Sequence, residues 1–239
     1  MRLIGFSTGA IALNDVDRAL TLLEGTKSTA IELSALREAE LEPLIHRLSE
    51  LKPRLVRYKY ISFHAPSALR RSDEARVVGL LSAVANLGWP IVVHPDVMTT
   101  YSLWRPLGRG LCIENMDKRK PIGQTCEDLR RIFQSLPDAQ FCLDLGHARQ
   151  VDATMSEAVQ LLRSFQGRLC QLHVSDVNSS SHHDPLSHEA IMAFRKVSHL
   201  IPERIPVILE SRVAQGSINS EISSALRTLA VSSLHLATA

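Results

Sequence analysis

The chain has 239 residues, of which 45% are hydrophobic and 22% charged, with a net charge of +2. That length supports one large domain or two small ones, and the composition is that of an ordinary globular protein, which argues against wholesale disorder. Near-balanced charge gives no general electrostatic reason to bind nucleic acid, although a local basic patch stays compatible with it.

In chain order, short apolar runs alternate with stretches of helical periodicity. RLIGFS precedes the helical pattern NDVDRALTLLEG, TAIELS precedes EAELEPLIHRLSEL, and YKYISFHA precedes SDEARVVGLLSAVANLG. PIVVHP has no clear helix after it. GLCIEN leads to TCEDLRRIFQSL, QFCLDL to TMSEAVQLLRSF, LCQLHVS to SHEAIMAFRKVSHLI, and PVILES to SEISSALRTLAVSSL. Several helical stretches open on Ser, Thr, Asn or Asp with an acid in the first turn, as N-caps and the helix dipole favour. Continuous apolar strands between amphipathic helices predict a parallel sheet covered by helices. Eight such units in this length fit a (β/α)8 barrel better than an open doubly wound sheet. The expected architecture is therefore α/β, a single TIM barrel over residues 1–239. Its fourth helical unit is shortened, because only PDVMTTYSLWRPLGRGLCI separates His94 from Glu114. The polar DVNSSSHHDP reads as a long loop after the seventh strand.

No uninterrupted apolar run reaches membrane-spanning length. The opening MRLIGFSTGAIALNDVDRAL breaks its apolar character with Ser, Thr, Asn and Asp, so it reads as a first strand and not as a signal peptide. Cys112, Cys126, Cys142 and Cys170 lack CxxC spacing, and three of them sit in strand-like runs. They read as reduced, buried thiols of a cytoplasmic protein without a membrane partner.

The strand ends carry the chemistry. Glu32 closes the second run, His64 the third, His94 the fourth and Glu114 the fifth. Asp144 closes the sixth with His147 three residues on, His173 lies on the seventh with Asp176 beyond it, and Glu210 closes the eighth. The loop after strand seven adds His182, His183 and Asp184. In a barrel these ends surround one mouth. Any one of them has a bland reading, a hydrogen bond to a loop backbone. Together they do not, because carboxylates sharing a pocket repel and protonate unless a cation lies among them. Imidazole and carboxylate without thiolate suit Zn²⁺, Mn²⁺ or Fe²⁺. In FCLDLGHARQ, Asp144 is then placed to hold a metal and His147 to hold a second ion or touch substrate, with Gly146 bending the backbone between them. Strand alternation turns Cys142 inward with Asp144, and Leu143 outward. Glu32 reads as a polar lining residue across the barrel from this cluster. The run Asp117–Pro121 is ordinarily a solvated face, but on this rim Lys118, Arg119 or Lys120 could hold a phosphate. Trp89 and Trp104 read as packing residues.

The stretches SFHAPS, VVHPD, CIENMD, CLDLGHA, LHVSDVN, HHDPLS and ILES, spanning residues 62–211, resemble in kind and order the xylose-isomerase-like barrels. That superfamily includes sugar isomerases, epimerases and endonuclease IV. The resemblance implies a metal tetrad of Glu114, Asp144, His173 and Glu210. It also implies that His147 contacts substrate or binds an extra metal, and that His64, His94 and His183 complete a three-zinc site in the nuclease case. The cofactor is thus one to three divalent ions, Zn, Mn or Fe. There are departures on both sides: Ser181 stands where the nuclease pattern has Asp, with Asp184 as a substitute, and no Arg follows His173 as it does in the epimerases. The first expectation is an isomerase or epimerase of a small sugar or sugar phosphate. In it Glu114 and Glu210 move the proton of an enediolate mechanism, His147 assists, and Lys118, Arg119, Asp176 and His182 contact substrate. The alternative is a Zn²⁺ phosphodiesterase acting on abasic-site DNA, and a third reading is a metal-bearing barrel without catalysis.

Overall fold

Each apolar run becomes a strand, because its β-branched and aromatic residues pack best on a pleated surface buried on both faces. In the computed structural model, which describes residues 2–230, these are β1 (Ile4–Ser7), β2 (Ala30–Ser34), β3 (Tyr60–His64), β4 (Ile91–Val93), β5 (Leu111–Glu114), β6 (Gln140–Asp144) and β7 (Leu169–Val174). A short ladder of β8 (Asp176–Val177) against β9 (His183–Asp184) comes next, and β10 (Val207–Leu209) is the eighth barrel strand. The parallel strands close in the order β1-β2-β3-β4-β5-β6-β7-β10, with β10 pairing back to β1. This is a (β/α)8 barrel.

The helices are α1 (Thr8–Ala12), α2 (Val16–Leu23), α3 (Glu38–His46), α4 (Leu48–Leu55), α5 (Glu74–Ala85), α6 (Tyr101–Trp104), α7 (Cys126–Ser135), α8 (Leu145–Val151), α9 (Ser156–Phe165), α10 (His188–Ser198) and α11 (Ile218–Leu229). The run expected as one helix from Glu38 divides at Arg47 into α3 and α4. Between β4 and β5 the chain forms a 3₁₀ turn at Pro95–Val97, α6, and a second 3₁₀ stretch at Arg105–Gly110. The stretch expected as plain loop after β7 contains the antiparallel β8–β9 ladder, which pairs Asp176 with Asp184 and Val177 with His183. Two residues per strand are too few to leave a pattern in the sequence. The last expected helix ends at Leu229 in the structure; its remainder, 231–234, and His235 lie outside the described residues. Among the described residues no helix is long and apolar enough to cross a membrane.

Alternation along the strands divides the sheet into two faces. Ile31, Leu33, Phe63, Ile113, Phe141, Leu143, Leu172 and Leu209 face the helices in the main core, while Cys142 and Cys112 pack with Val92 inside the barrel, as the alternation predicts. On β7 the register steps from Phe141↔Leu169 to Cys142↔Gln171, which leaves Cys170 as a bulge. The extra residue shifts the phase of the strand, so that Gln171 and His173 both enter the barrel. At the start of β1 the backbones crowd: a Cβ on Gly5 would lie 1.6 Å from the Ala30 carbonyl oxygen, so no larger residue fits.

Candidate metal centre

The mouth is built from strand ends and two short elements attached to them. β3 delivers His64, β5 Glu114, β6 Asp144 and β7 His173, while His94 and Glu210 sit one residue beyond β4 and β10. α8 adds His147, and the β8–β9 ladder carries His183 over the opening. Asp144 caps α8: its Oδ1 accepts the His147 backbone N–H at 2.7 Å. Gly146, expected to bend the backbone between Asp144 and His147, lies within α8 without a positive φ and permits close packing. A Cβ there would come within 2.5 Å of Val177 Cγ2 and 2.7 Å of the Ser175 carbonyl oxygen.

Glu114, buried to 1% exposure, is the hub. Its Oε2 lies 3.2 Å from His94 Nε2 and 3.4 Å from His64 Nε2. Its Oε1 lies 3.0 Å from His173 Nδ1 and 3.5 Å from His147 Nδ1. Glu210 bridges in the same manner, with Oε1 3.5 Å from His173 Nδ1 and Oε2 3.3 Å from His183 Nδ1. The backbone orients two of the rings, since His64 Nδ1 contacts the Ala65 carbonyl at 2.7 Å and His147 Nδ1 the Asn115 carbonyl at 3.0 Å. Each Nδ1 therefore carries the proton, and each Nε2 is left with a lone pair. Among the described residues four overlapping groups have ligand atoms within 4.8 Å of one another: His64, His94 and Glu114; His64, His173 and Glu210; Glu114, Asp144, His173 and Glu210; and Asp144, His147 and His183.

These residues fit divalent ions on three counts. Glu114 Oε2, Asp144 Oδ2 and His94 Nδ1 are buried without a hydrogen-bond partner, a cost that proteins seldom leave unrelieved. Ligands at about 2.0–2.1 Å from a tetrahedral ion stand about 3.3 Å apart, and the 3.2 and 3.4 Å spacings around Glu114 Oε2 match that. The donors are imidazole and carboxylate, the set that suits Zn²⁺, Mn²⁺ or Fe²⁺. The electrostatics agree. Burial, together with neighbouring carboxylates, raises Asp144 and lifts Glu210 to about 8, whereas Glu114, despite its burial, is held well below the carboxylate range by His173, His64 and His94. Burial, aided by the neighbouring His147 ring, pushes His183 down to about 3. Like charges crowded in a dry pocket drive one another's titrations apart.

Above the cluster lies a cavity of about 280 Å³ lined by His64, His94, His147, His183 and Glu210, with Arg119, Lys120 and Arg212 on its rim. Arg119 is tied to Asp117 at 3.0 Å and Lys120 to Asp96 at 2.7 Å. Exposed Arg212 has no side-chain hydrogen bond or ion pair among the described residues. Sequence reasoning missed it, although its place two residues after Glu210 was a usable signal, because alternate residues share a face.

Of the four expected substrate contacts only Arg119 lines the cavity. Lys118 is exposed, with its backbone N–H on Gln150 Oε1, and Asp176 is paired with Arg149. His182 is exposed because it neighbours His183 in sequence and alternation sends it the other way. Asp184, the expected substitute for the missing acid at position 181, accepts from Asn178 Nδ2 through Oδ2 at 2.7 Å and belongs to none of these ligand groups. The carboxylate beside Ser181 is Asp117, whose Oδ1 lies 3.2 Å from Ser181 Oγ. Glu32, expected to be remote, reaches across the barrel to His173.

No family model and no curated protein sequence matches the chain. Solved structures do. A xylose isomerase domain protein from Alicyclobacillus acidocaldarius aligns over 96% of this chain and 98% of its own at 14% identity, with a TM-score of 0.66. Endonuclease IV from Thermus thermophilus aligns over 95% and 97% at 19% identity, with a TM-score of 0.58. A xylose isomerase domain protein from Planctomyces limnophilus aligns over 95% and 94% at 11% identity, with a TM-score of 0.57. The chain thus has the fold of the xylose-isomerase-like barrels. Identities this low speak for the fold, and the reaction has to be argued from the side chains.

Proposed function

We propose that this barrel is a divalent-metal-dependent hydrolase of phosphate esters, built on the plan of endonuclease IV. The observation behind the proposal is that Glu114 belongs to two ligand groups at once, with His64 and His94 turned onto its second oxygen. A one-ion proton-transfer site needs only the tetrad and leaves those histidines without a task. Bound ions would polarise a phosphoryl oxygen and make water nucleophilic at neutral pH. The chain's own residues do the rest. Arg212, with Arg119 and Lys120 beside it, orients the anionic group. His147, its Nδ1 proton held by the Asn115 carbonyl, presents Nε2 as a proton donor or acceptor for the leaving group. Leu13 and Leu36 form an apolar side of the cavity. A cavity of this size and a chain of near-balanced charge favour a small phosphodiester over a long DNA contact.

A second reading, an isomerase or epimerase of a small sugar or sugar phosphate, is favoured by the two glutamates flanking His173. Glu114 stays ionised while Glu210 is lifted to about 8, the asymmetry that removing and returning one proton requires. One experiment separates the readings. Protein loaded with Zn²⁺ or Mn²⁺ is offered bis(p-nitrophenyl) phosphate, abasic-site DNA, and ketoses with their phosphates in D₂O. The expected result is chelator-sensitive cleavage of a phosphate ester. Deuterium entering a ketose, with every ester intact, would replace the hydrolase by the isomerase. Bound metal without either reaction would leave a non-catalytic barrel.

A further inference from the structure

Beneath the mouth, a second polar network occupies the barrel where apolar side chains would normally fill it. Its centre is Glu32 on β2, which has 0% exposure. Glu32 Oε2 accepts from Ser62 Oγ at 2.9 Å and Gln171 Nε2 at 2.7 Å, and it lies 3.2 Å from His173 Nε2. Gln171 is fixed in turn, because Tyr60 donates its hydroxyl to Gln171 Oε1 at 2.7 Å. The other oxygen of Glu32, Oε1, is buried without any partner. A buried carboxylate with a bare oxygen is costly, and a neutral side chain would hold Ser62 and Gln171 as well. The network alone therefore does not explain the charge.

His173 supplies the explanation. Its Nδ1 faces Glu114 and Glu210 at the metal centre, and its Nε2 faces Glu32. An imidazole that gives its Nδ1 lone pair to an ion keeps its proton on Nε2, and that proton needs an acceptor. Gln171 Nε2 lies 2.8 Å from His173 Nε2, but it is an amide donor and the Gln171 carbonyl is committed to Tyr60. Once the proton sits on His173 Nε2, the acceptor in reach is therefore Glu32 Oε2 at 3.2 Å. We infer that Glu32 is a positioning residue, a carboxylate set one layer below the mouth that fixes the ring and the tautomer of His173 for ion binding. The inference rests on His173 as an ion ligand and holds equally for the hydrolase and the isomerase.

The test uses Co²⁺ as the probe ion. Affinity and the visible absorption of the bound ion are measured for the wild type, Glu32→Gln and Ser62→Ala, together with thermal unfolding in chelator. Glu32→Gln should bind Co²⁺ about 10–100-fold more weakly, the usual effect of removing such a carboxylate, with unfolding in chelator unchanged or shifted upward. Ser62→Ala, which removes a donor to Glu32 and leaves His173 untouched, should bind Co²⁺ as the wild type does. A second readout needs no Glu32 variant. In Zn²⁺-loaded wild type with ¹⁵N-labelled histidine, the His173 Nε2 proton, identified by its loss in His173→Gln, should be exchange-protected and shifted far downfield. Equal Co²⁺ affinity in a folded Glu32→Gln, or a His173 Nε2 proton at an ordinary shift, would overturn the inference while leaving the metal centre intact. Wild type with no affinity for Co²⁺ would overturn the metal centre itself, and this inference with it.

Discussion

Replacing Asp144 by Asn separates the charge of the cluster from its architecture. One oxygen of Asp144 caps α8 through the His147 N–H, and the other, 3.6 Å from His147 Nδ1, has no hydrogen-bond partner. Asn keeps an oxygen for the cap, whereas Ala loses it, at a cost of about 1 kcal/mol. In chelator, Asp144→Asn should therefore be as stable as the wild type or more so, since an unpartnered buried carboxylate has gone, and Asp144→Ala should be less stable. Metal reverses the order. An ion at about 100 times its dissociation constant stabilises the wild type by about 2.7 kcal/mol. At roughly 2–4 °C per kcal/mol for a chain of this length, that raises the unfolding temperature by about 5–11 °C. A loss of about 100-fold in affinity leaves about 0.4 kcal/mol, or about 1 °C. Thermal unfolding with Zn²⁺ or Mn²⁺ and with chelator, alongside elemental analysis, reads both effects. Full metal content and a full metal-induced shift in Asp144→Asn would refute the reasoning.

Three further outcomes are expected. The double change His64→Ala, His94→Ala should remove about one metal equivalent and leave the tetrad's ion; an unchanged ion count would make these histidines pocket lining and remove the basis of the hydrolase reading. Arg212→Met should raise KM for an anionic substrate about 10–100-fold, the worth of one charge-assisted hydrogen bond, without altering metal content; an unchanged KM would mean that Arg212 faces only water. Asp117 tests a rim contact by pH: burial would lift it, but the Arg119 side chain and backbone N–H bring it to about 2. Because the folded pKa lies below the unfolded one, about 3.9, this pair stabilises the fold above about pH 4, and the contribution is lost as pH falls towards 2. Asp117→Asn should lower stability at neutral pH and flatten the acid decline between those limits, and curves that run parallel to the wild type would exclude that role.

What could be read from the sequence, and what could not, follows from how a barrel uses its strands. Glu114 and Asp144 were legible because each is a charged residue closing an apolar run, and a closed parallel sheet sends every such end to one mouth. α1 and α8 were not, because they start on the residue after a strand and are too short for a period to show. Lys118, Asp176 and His182 have the right chemistry at the right end, but rotamers and local pairing turn them to solvent or to other partners. Glu32 shows the deeper limit. Sequence places a residue on a strand without saying how deep it lies, since the strands of a barrel are staggered against one another. Only the pairing of Glu32 with Ser62, two residues before the pairing of Ser34 with His64, sets it one layer below the mouth. Gln171 lies two residues before His173 in the same way, so Glu32, which closes an apolar run as the mouth residues do, joins Gln171 in the floor on which His173 stands. A charged residue on a barrel strand is thus a ligand or the support of a ligand according to its depth, and depth is a property of register.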